Sequence, residues 1–214
     1  MGISNIFDSS VTCKQVFDLE GFVNFYLQLV NKNLNYLDVH SINTSLISVA
    51  VADELNVPGF DLNLLKYGSL LHDIGKLMVP AEILNINREL TMSEFDIIKT
   101  HTISGYISLN NFSFMPKEFK MIALTHHYRN GFGYPKKITF GEEIDPLFAN
   151  IISVADSLSA IMEPKKYKKD MTVDLAYSII SDKNNERNFG LDDKILDVLK
   201  FVIEHNKIEL KKYF

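Results

Sequence analysis

The chain has 214 residues, of which 46% are hydrophobic and 23% are charged, and its formal net charge is −5. This length fits one large domain, and the composition is typical of a soluble globular protein. No apolar run approaches the roughly 20 residues that a membrane-spanning helix needs, and the acidic balance argues against a general DNA-binding protein. A single cysteine, Cys13, excludes internal disulfides and cysteine-based zinc sites. The first residues lack a secretory-signal pattern, so we expect a cytoplasmic protein.

The first half of the chain is predicted to be helical nearly throughout. Apolar residues at three- and four-residue steps predict helices over 16–30 and 39–55. Asp61 is expected to cap the next helix, which should run to Gly75. Pro80 is expected to open a further short helix.

The second half also lacks the alternating pattern of strands. Thr91 and Glu94 form a capping-box signature, which predicts a single helix over 92–109. Another helix should follow before a Gly- and Pro-rich loop over 128–145. A nearly continuous apolar run predicts a central helix over 145–162, and two more helices complete the chain. We therefore predict an all-α fold, a compact multi-helix bundle.

Five histidines and two acids lie in apolar stretches of these predicted helices. They are His40, His72, Asp73, His101, His126, His127 and Asp156. Taken singly, a residue such as His40 is more often a satisfied core histidine than a ligand, and Asp156 could cap a helix or pair with a lysine. Together they are hard to satisfy independently, because each needs a buried partner. One shared metal centre would satisfy all of them, and imidazole with carboxylate suits Fe, Mn or Zn.

Seven candidate ligands exceed what one tetrahedral ion uses, so we predict two ions bridged by Asp73. One ion would take His40, His72, Asp73 and Asp156, and the other Asp73, His101, His126 and His127. Sites with two ions about 3.5–4 Å apart typically hydrolyse phosphate esters. Lys76 follows Asp73 by one turn and could reach a phosphate oxygen. Alternatively, Lys76 only complements the dipole at a helix end.

Four motifs in order resemble the HD-GYP family, a branch of the HD metal-dependent phosphohydrolases. They are "HDIGK" (72–76), "LTMSEFDIIKTHTISG" (90–105), "HHYRNGFGYP" (126–135) and "ISVADSLSAIMEPKKYKK" (152–169). The resemblance spans roughly residues 37–200. It implies a helical domain that hydrolyses cyclic di-GMP to linear pGpG, and in some members on to GMP, with two or three metal ions, commonly iron or manganese.

The resemblance also assigns roles to residues and segments. It implies a catalytic domain with a Gly-Tyr-Pro loop, which we place over 37–214. The 36 leading residues are too few for a separate sensor domain, so we expect a helical extension over 1–36 that packs on this core. By this resemblance the seven histidines and acids above are metal ligands, and Asp73 and Lys76 act in catalysis. The implied substrate contacts are Lys76, Arg129, Gly133, Tyr134, Lys165 and Lys168. Diguanylate cyclase domains are candidate partners.

Several positions depart from the family pattern. The "HHYRNG" stretch is one residue shorter than the family motif and lacks its Glu, and Asn130 stands for an Asp. Tyr36 stands where trinuclear members carry a Glu, which favours two metals. Lys165 and Lys168 replace arginines and lack their planar fork. Three hypotheses therefore stay open: a cyclic di-GMP phosphodiesterase, a catalytically weak or inactive module that binds cyclic dinucleotides or partner proteins, and a phosphohydrolase for another nucleotide.

Overall fold

The computed structural model describes residues 13–34, 37–86, 88–136, 146–163, 171–187 and 189–212. In these ranges all regular structure is helical, which confirms the predicted all-α class. The α-helices are α1 (Cys13–Asn33), α2 (Leu37–Glu54), α3 (Gly59–Leu71), α4 (Ala81–Leu84), α5 (Met92–Lys99), α6 (His101–Asn110), α7 (Lys117–Thr125), α8 (Pro146–Met162), α9 (Val173–Arg187) and α10 (Asp193–Glu204). Two short 3₁₀ helices cover Ile74–Met78 and Arg129–Gly131. Among the described helices, none combines the length and the apolar character that crossing a lipid bilayer requires.

Two large apolar clusters and one small one hold the described helices together. In the first, α2 and α8 pack face to face, and Ile47, Ile151 and Leu199 are fully buried there. In the second, α1 packs against α3, with Val30 and Leu71 fully buried. Full burial of such a side chain contributes about 1.5–3 kcal/mol relative to exposure. Helices α2, α3, α7 and α8 contribute to these clusters and also position most of the predicted ligands.

Two predicted helix boundaries were wrong. Helix α3 begins at Gly59, so Asp61 lies in its first turn rather than at its cap. The same helix ends at Leu71 rather than at Gly75, because the chain turns at His72 and Asp73 into the first 3₁₀ helix.

The capping box is confirmed, but the helix that it opens is shorter than predicted. The Thr91 side chain accepts a hydrogen bond from the Glu94 backbone, and the Glu94 carboxylate accepts one from the Thr91 backbone at 2.8 Å. Both the backbone N–H and the hydroxyl of Thr100 donate to the Ile97 carbonyl, at 3.1 and 2.6 Å. This tight turn ends α5 and lets α6 begin at His101, so the single helix predicted over 92–109 is two helices.

The first 3₁₀ helix lies directly against the start of α6, and Gly75 allows this approach. A Cβ atom on Gly75 would lie 1.9 Å from the His101 carbonyl oxygen and 2.5 Å from the Gly105 nitrogen. Only a residue without a side chain fits between these backbones. The contact therefore sets the distance between Asp73 and His101.

We expect Gly75→Ala to lower the free energy of unfolding by about 2–3 kcal/mol, because the added methyl group must push two backbones apart. The measurement is the denaturant midpoint of unfolding, followed by circular dichroism in the presence of a chelator.

Gly21→Ala is the matched control, since no atom lies within 4 Å of the added Cβ. Gly21 lies inside α1, so this change should raise stability by about 0.5–1 kcal/mol. Equal midpoints for Gly75→Ala and the unaltered protein would contradict the close packing.

Candidate metal centre

The seven predicted ligands come from five parts of the chain. His40 lies on α2, His101 begins α6 and Asp156 lies on α8. His72 and His126 are the C-cap residues of α3 and α7, and Asp73 and His127 follow them. The prediction that His72, His126 and His127 lie within helices was therefore wrong by one or two residues. All seven side chains are buried except that of His127, which is partly exposed.

The structure brings these side chains together in two groups. In the first, Nε2 of His40 lies 3.3 Å from Nε2 of His72 and 3.4 Å from Oδ2 of Asp73. In the second, Nε2 of His101 lies 3.2 Å from Nε2 of His126 and 3.2 Å from Oδ1 of Asp73. One oxygen of Asp73 thus faces each group, as a bridging carboxylate would.

Asp156 also spans the two groups, which the sequence did not predict. Its Oδ1 lies 3.2 Å from Nε2 of His40, and its Oδ2 lies 3.6 Å from Nδ1 of His127. A carboxylate in this position has an oxygen available on either side of the centre.

Backbone carbonyls fix the orientation of three imidazole rings. Nδ1 of His72 lies 2.7 Å from the Ser69 carbonyl oxygen, and Nδ1 of His101 lies 2.6 Å from that of Ile98. Nδ1 of His126 lies 3.0 Å from the Ala123 carbonyl oxygen. A carbonyl oxygen can only accept, so each Nδ1 carries the proton. These carbonyls lie in the last turns of α3, α5 and α7, where the regular backbone hydrogen bonding of each helix ends.

This arrangement leaves acceptor atoms facing one another in the interior. With Nδ1 protonated, a neutral His101 and a neutral His126 each present an Nε2 lone pair, and these nitrogens are 3.2 Å apart. Oδ1 of Asp73 is fully buried and accepts no hydrogen bond within the described part of the chain. Buried acceptors of this kind need a cation between them. The donor set of imidazole nitrogens and carboxylate oxygens therefore fits divalent transition metals.

The electrostatic environment keeps Asp73 and three of the histidines in states that suit ligation. Burial, together with the positive charge on neighbouring groups, lowers the pKa of His126 and His127, and burial lowers the pKa of His101 to about 4. Burial opposes ionisation of Asp73, but the charges of His72 and Lys76 hold its pKa well below the usual range. For the other two histidines, burial opposes protonation, but the neighbouring carboxylates of Asp156 and Asp73 raise the pKa of His40 and His72 above the usual value. A metal must compete with protons for its ligands, so neutral imidazoles and an ionised carboxylate favour binding.

A cavity of about 380 Å³ opens beside the centre, and several predicted substrate contacts line it. Lys76 lies at its edge, with Nζ 2.5 Å from Oδ2 of Asp73. The Tyr134 ring packs on His127, with 4.6 Å between the ring centroids. Gly133 lets its own backbone lie against that of His127, because a Cβ atom at position 133 would lie 1.7 Å from the His127 carbonyl oxygen. This volume falls in the usual range of ligand pockets.

Arg129 forms a second wall of the cavity. Its guanidinium carbon lies 3.9 Å from the centre of the Phe189 ring, and it donates a hydrogen bond of 3.0 Å to the Ser157 hydroxyl. Both contacts hold a positive charge at the cavity despite the acidic balance of the chain. The other two predicted substrate contacts, Lys165 and Lys168, lie outside the described residues.

Nine residues that line the cavity were not predicted from the sequence, and four of these nine are charged or aromatic. These four are Phe95, Glu163, Lys183 and Phe189. Glu163 follows Asp156 by seven residues, which is two helical turns, and its Oε1 lies 2.9 Å from Nδ1 of His40. This seven-residue spacing from Asp156 was the sequence feature that could have identified Glu163 as a residue of the site. Lys183 and Phe189 carry no local pattern that distinguishes them from surface or core residues.

Comparison with known proteins connects this geometry to named relatives. The chain is 34% identical over 145 residues to the cyclic di-GMP phosphodiesterase PdeB of Borreliella burgdorferi, covering 67% of this chain and 38% of PdeB. It is 31% identical over 174 residues to a cyclic di-GMP phosphodiesterase of Thermotoga maritima, covering 78% and 46%. It is 30% identical to the 3'3'-cGAMP-specific phosphodiesterase 3 of Vibrio cholerae, covering 77% and 35%. The chain spans less than half the length of each of these relatives.

Comparison of folds agrees with the sequence matches. The solved HDG"Y"P protein Bd1817 of Bdellovibrio bacteriovorus superposes with a TM-score of 0.62 at 21% identity, over 87% of this chain and 61% of that one. The family model described as "HD domain" matches residues 26–192, which is most of the chain. Taken with the convergent His72 and Asp73, this match shows that the chain belongs to the HD domain family.

Proposed function

We propose that this chain is a metal-dependent phosphodiesterase of the HD-GYP branch, which hydrolyses cyclic di-GMP to linear pGpG and further to GMP. The observation that carries the proposal is the sharing of Asp73 between two groups of buried, inward-facing ligand atoms. The names of the relatives support the substrate class. In this proposal residues 37–214 form the catalytic domain, residues 1–36 extend it, and diguanylate cyclase domains are candidate partners.

Two divalent ions, iron or manganese, are the proposed cofactors. His40, His72, Asp73 and Asp156 would hold one, and Asp73, His101, His126 and His127 would hold the other. When bound, such ions supply Lewis-acid stabilisation of phosphoryl oxygens and activation of water. The chain contributes the fixed imidazole orientations and the two bridging-type carboxylates described above.

Lys76 is proposed to neutralise charge that develops on the scissile phosphate. Its ammonium group lies between Asp73 and the cavity, with 22% of its side chain exposed. A cation held there by a buried carboxylate costs little reorganisation when the transition state forms, which is how fixed charges stabilise developing negative charge.

The remaining cavity residues are proposed to hold the nucleotide. Arg129 provides a guanidinium that is already stacked and hydrogen-bonded, so little side-chain freedom would be lost on binding. Tyr134 and Phe95, whose rings lie 6.2 Å apart, provide aromatic surface for a base. Gly133 lets the Tyr134 loop close on His127, and Lys165 and Lys168 would add charge.

A second candidate substrate is another cyclic dinucleotide. The similarity to a relative named as specific for 3'3'-cGAMP favours this alternative. A cavity with three cations, from Lys76, Arg129 and Lys183, would attract the phosphates of any cyclic dinucleotide.

Asp73→Ala should abolish both metal binding and turnover, because both groups lose their shared oxygen ligand. With protein purified anaerobically and supplied with Fe(II) or Mn(II), we expect about two ions per unaltered chain and conversion of cyclic di-GMP to pGpG. The variant should lose at least about 10³-fold in kcat/KM, which corresponds to about 4 kcal/mol of transition-state stabilisation. Metal analysis and chromatography of the products measure both effects.

Asp96→Ala is the matched control for this substitution. Asp96 lies on α5 and pairs with Lys99 at 2.7 Å, with the same three-residue spacing as Asp73 and Lys76, but on the surface. Its removal should change neither metal content nor rate. If Asp73→Ala keeps its metal and its rate, the bridging role is wrong.

Lys76→Met should separate metal binding from catalysis. We expect about two ions per chain to remain bound, because no metal ligand is removed. We expect kcat to fall by about 10²-fold, which is the usual effect of removing one fixed group that stabilises charge in the transition state. Steady-state kinetics with metal analysis tests this. Lys99→Met is the surface control, and an unchanged kcat in Lys76→Met would refute the assignment.

Competition among nucleotides distinguishes the two candidate substrates. Initial rates with cyclic di-GMP, 3'3'-cGAMP and cyclic di-AMP at equal concentration should rank cyclic di-GMP first. A higher kcat/KM for 3'3'-cGAMP would instead support the alternative. Tight binding of any of these without hydrolysis by the fully metallated protein would favour an inactive binding module.

A further inference from the structure

The imidazole of His40 is held differently from those of His72, His101 and His126. Those three rings donate Nδ1–H to carbonyl oxygens in the last turn of a helix. His40 lies instead in the first turn of α2, which covers Leu37–Glu54. The first turn of a helix offers free N–H groups rather than free carbonyl groups, so the described residues of α2 provide no free carbonyl acceptor for its Nδ1.

The described residues offer one acceptor close to this nitrogen. Nδ1 of His40 is fully buried and makes no well-aligned hydrogen bond there, but Oε1 of Glu163 lies 2.9 Å away. The Glu163 side chain is 31% exposed. A small rotation of this partly exposed side chain would align the oxygen with the N–H, at a distance that is already that of a hydrogen bond.

Helix α8 reaches His40 at a second point as well. The Ser159 hydroxyl donates to the His40 carbonyl oxygen at 3.2 Å. Ser159 lies in the last turn of α8, and Glu163 directly follows the last residue of that helix, so both contact His40 from the same end of α8. The backbone of His40 is thus approached by the helix that carries Asp156, and its ring by the residue directly after that helix.

From these contacts we infer that Glu163 is a positioning residue, which accepts the Nδ1 proton of His40 and thereby directs Nε2 toward the shared carboxylates. The inference rests on the proposed metal centre and deepens it. A carboxylate that accepts from a ligand imidazole fixes its tautomer and raises its basicity, and removal of such a partner typically weakens metal binding about 10- to 100-fold. Glu163 itself does not contact the reacting atoms in this assignment.

Metal titration of substituted proteins tests the assignment. For Glu163→Ala, we expect the Mn(II) affinity of one of the two sites to fall about 10- to 100-fold, while the other site changes little. Glu163→Gln keeps an acceptor oxygen and should recover most of this affinity. Glu82→Ala, an exposed carboxylate on α4, is the control and should match the unaltered protein.

A second readout separates positioning from a general structural effect. In Zn(II)-loaded protein with ¹⁵N-labelled histidine, the Nδ1–H signal of His40, assigned by its absence in His40→Gln, should be protected from solvent exchange. It should be lost in Glu163→Ala and kept in Glu163→Gln. The denaturant midpoint of the metal-free Glu163→Ala protein should stay close to that of the unaltered protein.

The outcomes are distinguishable. Unchanged Mn(II) affinity and an unchanged His40 signal in Glu163→Ala, in a protein that otherwise binds two ions, would overturn the inference alone. Equal losses in Glu163→Gln and Glu163→Ala would also overturn it, because the negative charge or direct ligation would then be responsible. If the unaltered protein bound no Mn(II), Fe(II) or Zn(II), both the proposed function and this inference would fail.

Discussion

The architecture depends on a set of buried acceptor atoms that have no proton to share. Nε2 of His101 and Nε2 of His126 face each other at 3.2 Å, and Oδ1 of Asp73 lies beside them without a donor among the described residues. In a low-dielectric interior such a cluster is unfavourable unless positive charge lies within it. The surrounding helices must therefore be packed well enough to hold it. The two large apolar clusters, with Ile47, Leu71 and Leu199 fully buried, provide that packing.

Contacts at the ends of helices, rather than in their middles, fix the orientations of the imidazole rings in this cluster. The last turns of α3, α5 and α7 each contain a carbonyl oxygen that accepts a hydrogen bond from the Nδ1–H of one imidazole. The same hydrogen bond thus satisfies a carbonyl group at a helix end and sets the direction of a ring. The same logic explains why His40, near a helix start, depends instead on the side chain of Glu163, which directly follows α8.

Much of the site could be predicted from the sequence, because the chemistry of residues such as His72, Asp73 and Asp156 conflicts with their apolar surroundings. The all-α class followed from periodicity, and the capping box of Thr91 and Glu94 formed as its pattern indicated. The exact helix ends could not be predicted. Gly75 reads as a helix stop in sequence, whereas its packing against the His101 carbonyl is a tertiary contact between distant segments. Glu163 and Phe189 were missed for the same reason, since their partners are far away in the chain.

The convergence of candidate ligands from α2, α6, α8 and the ends of α3 and α7 has a mechanical consequence. An ion held by His40, Asp73 and Asp156 would join segments that are separated by many residues, much as a covalent cross-link closes large loops. Binding energy at such a centre becomes folding energy, since the unfolded chain cannot offer the same ligands together. The lifetime of this protein in a cell would then follow the supply of transition metal, with starved chains opening more often and meeting proteases sooner.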